Sequence, residues 1–130
     1  MVGLFSRISK DPQKKKNAQI LKQIRNLVRE KRYDDALKIC IEYLQKIPHN
    51  HDVLFIVGGI YYMKNKYLTA ISYCDEILDI ATYDVPVLLL KAYSHQKLGE
   101  NKQAIRCCER IREIDPKNKA VSELMTQLGT

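Results

Sequence analysis

AIRCCERI, residues 104–111, sets two of the chain's four cysteines side by side. Such a pair can be a redox couple, half of a metal site, or two packing residues that touch only in sequence. The other cysteines choose among these. Cys40, Cys74 and Cys108 are spaced by 34 residues and again by 34. A fixed period of this size is the mark of stacked helical units, so three of the thiols read as equivalent positions in an array.

The period holds well beyond cysteine. Ala36, Ala70 and Ala104 obey it, as do Tyr33, Tyr67 and Asn101. Tyr43, Ile77 and Ile111 keep it with apolar side chains, and Ile20, Leu54 and Leu88 line up one step earlier. Pro48 and Pro116 are two periods apart, with Thr82 between them. Three repeats follow, 17–50, 51–84 and 85–118, with a tail from 119. Each reads as two helices. Leu54, Val57, Gly58 and Tyr61 make one stripe at helical spacing, and Tyr67, Ala70, Ile71, Cys74 and Ile77 make the next after an Asn65-Lys66 turn. Asn50 and Asp84 are suited to cap helix starts. Asp11-Pro12 opens a first helix expected over about residues 12–31, with Pro in its first turn. Leu98 ends a helix that Gly99 follows in the left-handed conformation. The recurring Ala, with Gly58 and Ala92 opposite, allows paired helices to approach closely, and Cys one turn on is a small apolar filler.

This pattern resembles the tetratricopeptide repeat family. The second repeat fits best, as Leu54-x2-Val57-Gly58-x2-Tyr61 and then Ala70-x3-Cys74. The third gives Leu88-x2-Lys91-Ala92-x2-His95, Ala104-x3-Cys108 and Pro116. The first gives Ile20-x2-Gln23-Ile24-x2-Leu27, Ala36-x3-Cys40 and Pro48. The departures are the lack of Trp, Gln23 and Lys91 where an aliphatic is usual, His95 for Tyr, and Thr82 for Pro. The resemblance implies an all-α fold, a right-handed superhelical solenoid of antiparallel helix pairs over residues 12–130. Residues 119–128 would be the capping helix that such arrays require. Residues 1–11 are expected to be a flexible basic segment.

Composition agrees with a folded chain of one domain: 45% of residues are hydrophobic and 28% charged. The net charge of +7 is concentrated in residues 1–32, which hold ten Lys and Arg against two Asp and Glu. The stretch Val2–Ile8 is too short, and too broken by Arg7, for the apolar core of an export signal. The longest uncharged run, Val53 to Met63, falls far short of the ~20 residues that span a bilayer. A cytoplasmic setting with reduced thiols is therefore expected.

Chemistry is hard to find. The chain has no phosphate loop, GxGxxG, HExxH or nucleophile elbow, so no enzyme, cofactor or small-molecule substrate is expected. The repeat accounts for Cys40, Cys74 and Cys108. Cys107 is left over and, one residue from Cys108, should face away from it; nothing marks it as activated. No paired CxxC spacing suggests zinc. His49-Asn50-His51 reads as a solvated turn, and His95 as a partly buried spacer.

The surplus lies on the first helices. Beside the packing stripe, Phe55, Ile56, Tyr62 and Met63 form a second apolar stripe, matched by Leu89, Leu90 and Tyr93 in the next repeat. The first repeat offers Leu21, Arg25 and Arg29 at corresponding places. In the resembling family this side lines a concave groove for peptides or helices. The expected function is thus protein binding: a peptide or amphipathic helix in an apolar groove with a basic end. The positions of the family's carboxylate clamp hold Leu21, Arg25, Ile56, Pro86 and Leu90, which argues against a two-carboxylate ligand. The alternatives are burial of the face within the chain, by neighbouring repeats or residues 1–10, and a homodimer closed by the same face. A third is weak tethering to nucleic acid or an anionic membrane through residues 1–16.

Overall fold

The computed structural model describes residues 11–130. The expectations for residues 1–10 lie outside the described residues. Among the described residues there are seven helices and no strand: α1 (Pro12–Arg29), α2 (Tyr33–Lys46), α3 (His51–Met63), α4 (Tyr67–Leu78), α5 (Val85–Lys97), α6 (Asn101–Ile114) and α7 (Lys119–Gln127). The chain forms two compact units, Met1–Lys46 and Ile47–Thr130.

The helix boundaries obey the period as closely as the core does. Asn50, Asp84 and Asn118 are successive N-caps, 34 residues apart. Each accepts a hydrogen bond through its side-chain oxygen from the backbone N–H three residues on, at 3.0, 3.1 and 3.0 Å. Asp11 caps α1 in the same manner, through Gln13 and Lys14, with Pro12 at the first helical position. Between the helices of each pair, one residue takes positive φ: Lys31 (62°), Asn65 (63°) and Gly99 (75°), again 34 apart. Gly99 and the Asn65-Lys66 turn are legible in the sequence as helix stops, and Lys31 is not. Lys31 also ends α1 two residues short of the expected 31, since a residue at positive φ cannot continue a right-handed helix.

In the first unit α1 packs on α2, and the buried side chains are Ile24, Ala36, Leu37, Cys40 and Tyr43. In the second unit each helix packs on its successor from α3 to α7, and α3 also meets α5 directly. Ala70, Ala104, Cys74, Cys108, Ile77 and Ile111 are buried between them. The small residues are there because the helices are close. A Cβ added to Gly58 would lie 3.4 Å from the Tyr73 Cβ on α4 and 3.5 Å from the Leu90 Cδ2 on α5.

Cys107, left over from the repeat in the sequence reading and expected to face away from Cys108, is itself buried, only 5% exposed. Ala104, Cys107, Cys108 and Ile111 follow the i, i+3, i+4, i+7 spacing of one helical face, and α6 is packed by both α5 and α7. The equivalents of Cys107 one and two periods back are Tyr73 and Ile39. The position is therefore apolar in every repeat and Cys107 is not an extra residue.

Candidate functional site

The expected partner-binding residues fall in both units. In the first, Leu21, Arg25 and Arg29 share a face of α1, with Leu21 half-buried and the two arginines exposed. They share it because their spacing, i, i+4 and i+8, nearly matches two helical turns. Arg29 donates to the Asn26 side chain at 3.2 Å.

In the second unit, α3 carries Phe55, Ile56, Tyr62 and Met63, and α5 carries Leu89, Leu90 and Tyr93. Six of these seven are half-buried, and Met63 is exposed at 55%. Part of the apolar surplus is thus consumed by helix packing. Leu90, at the α3–α5 contact, reaches over Gly58.

Tyr62 is the centre of an aromatic group. Its ring meets that of Tyr67 edge-on, with centroids 5.4 Å apart, a favoured geometry for π-systems. Burial pushes the Tyr62 hydroxyl above its usual range, and the nearby hydroxyls of Tyr67 and Tyr93 add to the shift. The structure thus pairs Tyr62 with Tyr67, whose sequence position falls in the packing stripe, and Tyr93 on α5 is near enough to add to the shift at Tyr62. Tyr67 also donates to the Asn65 side chain at 2.9 Å. The signal that could have found it is its place immediately after the Asn65-Lys66 turn, which returns the start of α4 to the end of α3. A second pair, Tyr61 and Tyr73, stacks at 5.8 Å and belongs to the α3–α4 packing.

The polar candidates resolve into structure. His49 is exposed, its Nδ1 3.8 Å from the Glu76 carboxylate; Asn50 is a cap and His51 begins α3. His95 is buried, with Nδ1 2.9 Å from Glu100 Oε1. Among the described residues no group of three or more His, Cys, Asp or Glu side chains could hold a metal ion. All four thiols are free and buried. Burial pushes Cys40 and Cys108 up to about 11 and Cys74 up to about 12, with Asp75 adding to the shift at Cys74. Cys107 is also raised by burial, against the opposing pull of Lys91 and Arg110. These are the reverse of activated thiols. No helix among the described residues is long and apolar enough to cross a membrane.

A family model described as anaphase-promoting complex, cyclosome, subunit 3 matches residues 29–111. Protein unc-45 homolog B of Xenopus laevis is 26% identical over 99 residues, covering 75% of this chain. The chain spans about a tenth of that relative's length, the covered share being 10%. Among solved structures, the first tetratricopeptide domain of Spaghetti (RPAP3), bound to the HSP90 peptide SRMEEVD, aligns with a TM-score of 0.80 at 15% identity, covering 86% of this chain and 89% of that one. The Yersinia enterocolitica type III secretion chaperone SycD, in complex with a peptide of the translocator YopD, aligns with a TM-score of 0.75 at 16% identity, covering 88% of each. At these identities the structures show the fold: all-α helix pairs of the tetratricopeptide type, as the residue pattern implied.

Proposed function

The chain belongs to the family described as anaphase-promoting complex, cyclosome, subunit 3, it has the tetratricopeptide fold, and on that premise we propose that it binds a peptide or amphipathic helix of a partner protein on the apolar face of α3 and α5. The observation that carries this reading is the edge-on pair of Tyr62 and Tyr67 beside the exposed Met63. Tyrosine and methionine suit a binding face, since both offer large contact area with either a polar handle or an adaptable chain. Phe55, Ile56, Leu89 and Leu90 extend the face with half-buried side chains. Burying two or three such groups in a partner contributes several kcal/mol at ~25 cal/mol per Å², before the cost of association. Arg25 and Arg29 supply positive charge that steers acidic flanks, an effect that acts at a distance. Two fold relatives are solved with bound peptides, which supports a peptide-binding use of the fold here. The proposal is for a non-enzymatic, cytoplasmic interaction module.

The test is recovery of partners by the purified chain from its own source, with Phe55→Glu/Leu89→Glu and Met63→Glu as variants. Both should keep native helicity by circular dichroism and lose the recovered partner. Unchanged recovery in folded variants sinks the reading. Light scattering over a hundredfold range of concentration, on the order used to separate weak dimers from monomers, must find a monomer; a dimer that Met63→Glu dissolves would give the face to a second copy instead.

A further inference from the structure

Helix α1 has no acidic residue anywhere between Pro12 and Arg29, and six basic ones. At 100° per residue, Lys14, Lys22, Arg25 and Arg29, with Ala18 between them, fall within an arc of about 80°. All five are exposed. The four cations form a band about 22 Å long at 1.5 Å per residue. None of them makes an ion pair with a described residue. Arg32, by contrast, holds Asp35 at 2.9 Å and Lys91 holds Asp75 at 2.6 Å. Like charges at i, i+3 and i, i+4, as in Lys22–Arg25 and Arg25–Arg29, destabilise a helix. This stripe therefore costs the free protein stability and has no counter-charge among the described residues.

One edge of the arc is apolar. Leu21 and Val28, seven residues apart, run beside Arg25 and are half-buried. We infer that the α1 stripe of Lys14, Lys22, Arg25 and Arg29, with its Leu21–Val28 edge, is a docking surface for an acidic amphipathic segment of a partner protein. The charge complementarity selects Asp and Glu, and the apolar edge selects a segment with aliphatic side chains beside them. Phosphate backbones have no use for that edge, and α1 carries no aromatic residue on which a base could stack. A membrane would need large apolar side chains in the exposed arc, where only Ala18 is found. The inference rests on the protein-binding reading above and names the chemistry of the partner.

The test uses the full chain and four probes. These are a labelled amphipathic peptide of Leu and Glu, its analogue with Gln for every Glu, a single-stranded oligodeoxynucleotide, and phosphatidylserine vesicles. The Glu peptide should bind at least about tenfold more tightly than the Gln peptide, and its advantage should shrink as salt shortens the Debye length. Lys22→Glu/Arg25→Glu/Arg29→Glu should erase the advantage, and the milder Lys22→Gln/Arg25→Gln/Arg29→Gln should reduce it. All three side chains are exposed, so both variants should keep native helicity. Equal binding of the two peptides overturns the inference, as does an advantage that survives both variants. Tighter binding of the oligonucleotide or vesicles through the same residues also overturns it, and assigns the stripe to phosphates. Failure of the apolar-face reading looks different: binding of the Gln peptide would then be indifferent to Phe55→Glu/Leu89→Glu.

Discussion

Lys91 Nζ lies 2.6 Å from Asp75 Oδ1, bridging α5 and α4 at a position where the repeat pattern leads one to expect an aliphatic side chain. Lys91 is mostly covered, with 22% of its side chain exposed, while Asp75 is 49% exposed. That asymmetry sets the energetics. Asp75 can rehydrate if its partner is removed, so the pair behaves more like a surface bridge than a buried one. Lys91→Leu should change stability by no more than about 1 kcal/mol, since the aliphatic stem already packs and the new side chain continues it. Urea unfolding measures it. A loss near 3 kcal/mol would mean that Asp75 is left effectively buried and unpaired.

The caps are a second test. Asn118→Ala removes the side-chain acceptor for the Val121 N–H, and Asp84→Ala removes that for Val87. Each should cost about 1 kcal/mol. The terminal helix α7 should be the more sensitive by hydrogen exchange, because it has a neighbouring helix on one side only.

Glycines 58 and 59 are adjacent but should respond differently. A Cβ at Gly59 meets nothing within 4 Å, so Gly59→Ala should stabilise the protein by about 0.5–1 kcal/mol through helix propensity. At Gly58 the Cβ would touch Tyr73 at 3.4 Å, so the same gain is offset by crowding and Gly58→Ala should stabilise less. Gly58→Leu should destabilise by about 1–3 kcal/mol. Thermal melts of the three variants decide the order.

The thiols predict a pH dependence. Cys40, Cys74 and Cys108 have folded values of about 11, 12 and 11 against 9.0 for an ordinary thiol. Folding therefore favours the protonated form. This contribution is fully present below about pH 9 and is lost as pH rises through 11 to 12. Stability should fall steadily over that window, and Cys40→Ser should flatten the fall while lowering the plateau. At pH 8 the native protein should resist alkylation at all four cysteines, and urea should expose them together. Rapid labelling of Cys107 alone would contradict its burial.

The fold was legible because a repeat states its own grammar several times. Cys40, Cys74 and Cys108 give the period, and the Ala, Tyr and Pro positions repeat it. The left-handed residue at 31 is harder to read than Asn65 or Gly99, because Lys rarely adopts a conformation that Gly and Asn favour. The packing role of Cys107 is visible in its equivalents one and two periods back, Tyr73 and Ile39, and not in its neighbour Cys108.

The expected face on α3 and α5 was read from apolar residues in excess of one packing stripe. Sequence spacing alone determined which residues lie on which helical face, because 3.6 residues per turn fixes direction around an axis. It also determined where the uncompensated charge of α1 falls. Tertiary structure decided how much of each face remains free: that Leu90 is partly spent on Gly58, that Met63 stays exposed, that Tyr67 pairs with Tyr62, and that Lys91 finds Asp75. Those outcomes depend on which helix lies alongside and how closely, distances set by packing between segments far apart in the chain, and no local pattern encodes them.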